Sequence, residues 1–141
     1  LVLPELRMQI VEKNGVIFVN DAYNASEISI KSALNSLPNP KVGGKKIAVI
    51  GEMLELGKFS EQCHLAVGEH ALNCVDSMLC FGEGCAPIHE CWQKAGRHVL
   101  WTQDRSLLVN ALQAELKLGD VVLLKGSRAK GLWKIIEELK L

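Results

Sequence analysis

The chain has 141 residues, of which 48% are hydrophobic and 23% charged, and its 16 basic side chains balance 16 acidic ones. This composition excludes an intrinsically disordered chain, and zero formal charge argues against a protein that binds nucleic acid or an anionic membrane surface. No run is apolar enough for a signal peptide or a membrane span, so we expect a cytoplasmic protein. The length fits one domain over residues 1–141, and the absence of a first methionine predicts a fragment of a longer protein.

Two β-rich segments begin the chain, Arg7–Lys13 and Val16–Val19. The pair Asn14–Gly15 between them favours the tight turn of a hairpin, which predicts two antiparallel strands. Further on, apolar residues recur at positions i, i+3, i+4 and i+7 and predict a helix that ends before two prolines. Asn24 and Glu27 have the spacing of its capping box.

From residue 45 onward one pattern recurs: a short continuous apolar run, a polar corner and an amphipathic helix. The runs are Ile47–Ile50, Met78–Phe81, Val99–Trp101 and Val121–Leu124. Continuous apolarity indicates strands covered on both faces, as in a parallel sheet. Ser60 and Asp104 are expected to cap two of the helices. The sequence therefore predicts an α/β, Rossmann-like three-layer domain with about six strands, mostly parallel, with one antiparallel strand from the N-terminal hairpin and helices on both faces.

In such a sheet, ligands bind outside the carboxyl ends of the parallel strands. The corner of Lys125, Gly126, Ser127 and Arg128 follows an apolar strand and has the composition of an anion site, because a glycine allows close approach and two cations attract carboxylate or phosphate. An ordinary capped helix start with solvated cations explains the same residues. The chain has no GxxxxGK[ST] loop, so it brings no phosphate cradle of that type.

A second corner spans residues 20–26. Asp21 can accept hydrogen bonds from ribose hydroxyls, Tyr23 can stack or donate, and Asn24 is either a helix cap or a ligand contact. The turn-forming chemistry of asparagine and aspartate explains these residues without a ligand, and the residues alone favour this explanation.

A third corner, residues 51–57, is closed by glycines and carries Glu52 and Glu55. These carboxylates either bind an ammonium group or complement the N-terminus of the following helix. His64 with Glu61 has the spacing of a metal-binding pair, but the third ligand is missing, so no metal site is predicted. The five cysteines lack CxxC spacing and predict reduced, buried thiols.

Taken together, the three corners resemble a known family. The strings NDAYNAS at 20–26, VIGEMLELG at 49–57, followed by Glu61 and His64, and LLKGSRAKG at 123–131 are similar in order and spacing to the C-terminal domain of the Mur ligases. Among these, they look like the ligases that add D-alanyl-D-alanine to UDP-N-acetylmuramoyl-tripeptide. The resemblance covers nearly the whole chain.

This resemblance implies an ATP-dependent amide ligation in peptidoglycan synthesis. A tripeptide carboxylate attacks ATP to give an acyl phosphate, and the dipeptide amine then displaces phosphate. The cofactors implied are ATP and Mg²⁺, with the Mg²⁺ ligands expected on a central domain that this chain lacks. The implied partners are the two substrates and the N-terminal and central domains, with no nucleic acid and no membrane insertion. A chain without the central domain is expected to be catalytically inert.

The resemblance also implies roles for individual residues, none of them catalytic within this domain alone. It implies an ATP side formed by Asp21, Tyr23 and Asn24. It implies a substrate side formed by Glu52, Lys125, Gly126, Ser127 and Arg128. Ser26 and Glu27 depart from the asparagine and proline of many relatives.

Two other readings fit the sequence. A non-catalytic flavodoxin-like module that binds a nucleotide or a partner would also have polar corners at this edge. Another amide ligase of the same superfamily, similar to folylpolyglutamate synthase, would use a different amine.

Overall fold

The computed structural model describes residues 9–21, 25–126 and 131–141, and its strands and helices alternate as the sequence predicts. The strands are β1 (Gln9–Lys13), β2 (Val16–Asn20), β3 (Lys46–Gly51), β4 (Ser77–Phe81), β5 (His98–Thr102) and β6 (Val121–Lys125). The α-helices are α1 (Glu27–Asn35), α2 (Ser60–Ala71), α3 (Ala86–Lys94), α4 (Arg105–Glu115) and α5 (Ile135–Glu138). Short 3₁₀ turns precede α2, α3 and α5.

The strands form one six-stranded sheet in the order β1-β2-β6-β3-β4-β5. β1 is antiparallel to β2, and the remaining pairs are parallel. Asn14 and Gly15 have φ angles of 49° and 81°, which is the left-handed geometry that the hairpin turn requires. The predicted fold class is confirmed.

Two apolar layers cover the two faces of the sheet. α1, α2 and α3 pack on one face through buried residues that include Ile30, Ala33, Val67, Ile88 and Trp92. α4, α5 and the 3₁₀ turn before α5 pack on the other face through residues that include Leu108, Leu112, Leu132 and Ile135. Every residue of β6 is buried because β6 lies in the middle of the sheet. The run in β5 is only half-buried, because β5 is an edge strand, so its continuous apolarity overstates how well it is covered.

The helices that follow the neighbouring strands β3 and β6 lie on opposite faces of the sheet, an arrangement that creates a crevice at the carboxyl ends of such strands. The two backbones nearly touch there. A Cβ atom on Gly51 would lie 3.2 Å from Gly126 Cα and 2.8 Å from Leu132 Cδ1. A Cβ atom on Gly126 would lie 2.7 Å from the same leucine atom. A side chain at either position would displace Leu132, and at Gly51 it would also press on the backbone of Gly126.

Two helix starts differ from the prediction. α1 is capped by Ser26, whose hydroxyl accepts from Ser29 N–H at 3.1 Å, while Ser29 Oγ accepts from Ser26 N–H at 2.9 Å. The capping box predicted for Asn24 is wrong, since the helix begins two residues later, and Asn24 itself lies outside the described residues. Ser60 is the first residue of α2 rather than its cap, because a 3₁₀ turn already leads into the helix.

Across the described ranges, none of the helices has the length and apolarity that crossing a bilayer requires.

Candidate functional site

The centre of the carboxyl edge holds a buried ion pair between neighbouring strands. Asp21 directly follows β2, and Lys125 is the last residue of β6. Lys125 Nζ lies 3.0 Å from Asp21 Oδ2. Lys125 is only 1% exposed and Asp21 8%. Because Asn20 pairs with Leu124 in the parallel sheet, the next residues along the two strands, Asp21 and Lys125, lie side by side. The register of the sheet therefore brings the two charges together.

Burial lowers the pKa of Lys125 below its ordinary value, and the hydrogen bond and charge of Asp21 oppose this effect only in part. The ammonium group therefore lies inside the domain against a carboxylate and does not project from the surface as a solvated cation. This position gives Lys125 a structural task, which is to hold the end of β6 and the end of β2 together. A direct substrate contact of Lys125 stays a prediction.

The structure brings Gly126 next to this pair, where it is buried against Gly51. The predicted site residues Tyr23, Asn24, Ser127 and Arg128 lie outside the described residues.

Glu52 joins the end of β3 to the end of β4 and the turn that follows it. Gly84 N–H donates to Glu52 Oε2 at 2.6 Å, and Glu52 N–H donates to Phe81 O at 2.9 Å. A Cβ atom on Gly82, whose φ is +113°, would lie 2.7 Å from Glu52 Cδ, so the turn after β4 is shaped around this side chain. The carboxylate thus supports the neighbouring turn. A contact between Glu52 and substrate remains a prediction.

Replacing Glu52 with alanine should lower the free energy of unfolding by about 2 kcal/mol, because a charge-assisted hydrogen bond to Gly84 N–H is lost. Urea unfolding measures this loss. Glu83→Ala is the matched control, since Glu83 is an exposed carboxylate in the same turn, and its replacement should change stability by less than about 0.5 kcal/mol. Equal losses in the two variants would show that the Glu52 carboxylate does not support the turn.

His64 also belongs to this region, although the sequence motifs do not assign it to the site. Its ring is completely buried, and Met53 N–H donates to His64 Nε2 at 2.9 Å. The available signal was the helical register, because the buried residues of α2 are His64, Val67, Gly68 and Ala71, at i, i+3, i+4 and i+7. Within the described part of the chain, no three His, Cys, Asp or Glu side chains are grouped so that they could hold a metal ion.

The five cysteines are not assigned a chemical role at this edge. All five are free, with Cys80 and Cys85 buried and the others half-buried. Burial raises the pKa of the Cys80 thiol well above its ordinary value, and the neighbouring Cys85 adds to this effect. A thiol that stays protonated is a poor nucleophile, so Cys80 acts as a small apolar residue of the core.

Comparison with known proteins gives a consistent picture. The family description "Mur ligase, glutamate ligase domain" matches residues 6–128. The UDP-N-acetylmuramoyl-tripeptide–D-alanyl-D-alanine ligase of Bacillus subtilis is 32% identical over 139 residues, which cover 95% of this chain and 30% of that protein. The protein of the same name from Escherichia coli is 30% identical over 127 residues, or 88% of this chain and 27% of that protein. The chain thus spans less than a third of the length of these curated relatives.

Solved structures show the same relationship. The MurF ligase of Thermotoga maritima, crystallised in complex with ADP, matches with a TM-score of 0.73 and 33% identity over 96% of this chain and 30% of that one. A MurF from Acinetobacter baumannii matches with a TM-score of 0.80 and 26% identity over 94% of this chain and 30% of that one.

Proposed function

The chain belongs to the Mur ligase family, and from this premise we propose that it is the C-terminal domain of a MurF-type ligase. In that ligase, D-alanyl-D-alanine is joined to UDP-N-acetylmuramoyl-tripeptide with ATP, in the cytoplasm, during peptidoglycan synthesis. The relatives that match at 30–32% identity are named as ligases of this activity. Their names favour this activity over a flavodoxin-like module or a ligase that uses another amine.

The observation that carries the proposal is the Asp21–Lys125 pair at the carboxyl ends of β2 and β6, two neighbouring strands whose following helices lie on opposite faces of the sheet. The Asp21 side chain is 12% exposed, so part of its carboxylate reaches the carboxyl edge, where it can accept hydrogen bonds from ribose hydroxyls. Lys125 Nζ, 3.0 Å away, holds that carboxylate in place. These residues fit a nucleotide, and we place Tyr23 and Asn24 on the same side.

ATP, when bound, supplies the activation of the substrate carboxylate. The remaining contribution of this chain is to bind and to exclude water. We assign the substrate side to the backbone at Gly126, to Ser127 and Arg128, and to the corner that carries Glu52. A separate domain that closes over the substrates protects an activated carboxylate from hydrolysis.

We assign Mg²⁺ and most phosphate contacts to the central domain of the longer protein. This assignment has a consequence for the chain alone. A 141-residue chain without that domain is expected to release no phosphate from ATP.

The test is phosphate release by the full-length protein with ATP, Mg²⁺, UDP-N-acetylmuramoyl-tripeptide and D-alanyl-D-alanine. We expect release that depends on both the tripeptide and the dipeptide. Substituting glutamate for the dipeptide separates this function from that of a ligase that joins another amine to the same tripeptide, because only such a ligase would release phosphate with glutamate. Phosphate release that requires neither the dipeptide nor glutamate would contradict the proposed function. The absence of any phosphate release would contradict it too.

A further inference from the structure

His64 connects helix α2 to the corner that follows β3. On one side of the ring, Nε2 accepts the Met53 N–H at 2.9 Å. On the other side, Nδ1 lies 2.7 Å from Ser60 O. Since a backbone N–H can only donate, Nε2 must carry the lone pair, and the ring proton lies on Nδ1 and is donated to the carbonyl. The geometry thus fixes one neutral tautomer.

The ring is also packed against the turn that Glu52 holds. A Cβ atom on Gly84 would lie 3.1 Å from His64 Cε1 and 2.9 Å from Glu52 Oε2. The corner is therefore held at two consecutive residues, by the Glu52 carboxylate toward the next turn and by the His64 ring at Met53. This corner begins at Gly51, whose backbone lies against the substrate-side corner of the proposed site.

We propose that neutral His64 is a positioning residue for this site: it holds the Glu52–Met53 segment in the shape that the ligation uses, and protonation of its ring releases that segment. The inference rests on the proposed function for its catalytic part. A proton on Nε2 would point at Met53 N–H and place two donors against each other, so the bond that fixes the corner would be lost.

The surroundings of the ring keep it neutral. Burial lowers the pKa of His64 below its ordinary value of 6.5, although the Ser60 carbonyl and the charge of Glu52 act in the opposite direction. Glu52 faces the ring from the corner, whereas the turn after β4 presents the uncharged Gly84. As the pH falls, His64 is therefore protonated at a higher pH in the unfolded chain than in the native one. Stability from His64 is complete above about pH 6.5 and is lost as the pH falls from there toward the native pKa.

The experiment compares three variants of the full-length protein by steady-state kinetics between pH 5.5 and 8. His64→Gln keeps an acceptor near Nε2 but cannot titrate, and His64→Ala removes the acceptor. The matched control is His70→Gln on the same helix, where the ring bonds Asn35 near the surface. At pH 7.5 we expect kcat to fall about 100-fold in His64→Ala, because the corner moves, and to stay within about threefold of the original in His64→Gln.

The pH profile separates positioning from simple support of the fold. We expect kcat of the original protein to fall on the acid side of about pH 6.5, and His64→Gln to lack this fall while the His70→Gln control keeps it. An unchanged profile in His64→Gln overturns the proposal. So does a His64→Ala variant whose melting temperature drops while kcat and KM per folded molecule stay unchanged.

A readout without activity keeps this inference separate from the proposed ligase function. The ¹⁵N chemical shifts of the His64 ring should show a protonated Nδ1 and an unprotonated Nε2 at pH 7.5. Shifts of the opposite tautomer, or of a charged ring, would refute the role of His64 even in an active ligase. If the shifts show the expected tautomer but phosphate release does not depend on the dipeptide, the proposed function is refuted and the role of His64 is not.

Discussion

Changing Lys125 to methionine is expected to lower the rate of the proposed dipeptide-dependent ligation by the full-length protein at least about 100-fold and to destabilise the domain by about 3 kcal/mol. The reason is the same for both effects. The Asp21 carboxylate would be left in a largely buried position without its partner at 3.0 Å, and the ends of β2 and β6 would lose the contact that aligns them. We expect the low end of the destabilisation that usually follows when a buried ion pair loses one partner, because the Asp21 side chain is still 12% exposed.

The double variant Asp21→Leu with Lys125→Met separates the two effects. Leucine has the shape of aspartate, so an apolar pair should regain most of the stability in urea unfolding. Its ligase rate should stay low, since the carboxylate proposed to contact the ribose is absent. If the single Lys125→Met variant kept both the original stability and the original rate, the pair would be neither structural nor functional.

Alkaline pH offers a second check on this pair. Because burial holds the pKa of Lys125 below 10.5 in the folded state, the unfolded chain keeps this proton at pH values where the native chain has lost it. The contribution of this group to stability should therefore rise with pH between the native pKa and about 10.5. Unfolding curves measured across this range should lose that slope in Lys125→Met. An identical slope in the variant would assign it to other groups.

The largest loss of stability is expected for Trp92→Ala, at about 4 kcal/mol. Trp92 is fully buried between α2 and α3, and its Nε1–H donates to Gly68 O at 2.9 Å. The Arg97 guanidinium lies 4.7 Å from the centre of the ring. Removing the ring would leave a cavity and break the hydrogen bond to Gly68 O. Urea unfolding of the chain measures the loss.

Two controls test the cause of this loss. Trp92→Phe keeps most of the ring and should cost about half as much, chiefly through the lost hydrogen bond. Trp133→Ala should change stability by less than about 0.5 kcal/mol, because that side chain is 41% exposed. A loss below about 1 kcal/mol for Trp92→Ala would mean that the two helices close over the gap.

The order of strands and helices was predictable because each strand is a continuous apolar run and each helix shows its own period. The carboxyl-edge location of Asp21, Glu52 and Lys125 followed from that order. Long-range contacts were not predictable. A lysine beside a glycine and an arginine looks like a solvated cation, and only the pairing of β2 with β6 shows that an aspartate 104 positions earlier neutralises it.

His64 shows a second limit. In sequence, a histidine three residues after a glutamate suggests a metal ligand, since spacing along a helix is visible but the orientation of the helix is not. The fold turns this position inward, where the histidine bonds backbone groups instead. The start of α1 was missed for a local reason: Asn24 and Ser26 both form caps, and the serine two positions later has the better reciprocal partner in Ser29.

The contact between Gly51 and Gly126 has a mechanical consequence. With no side chain between these backbones, and with Leu132 closing the remaining space, neither strand end can shift without displacing the other. The ends of β3 and β6 therefore behave as one stiff part. A spectroscopic distance between labels at the ends of β3 and β6 should therefore stay constant when the domain moves.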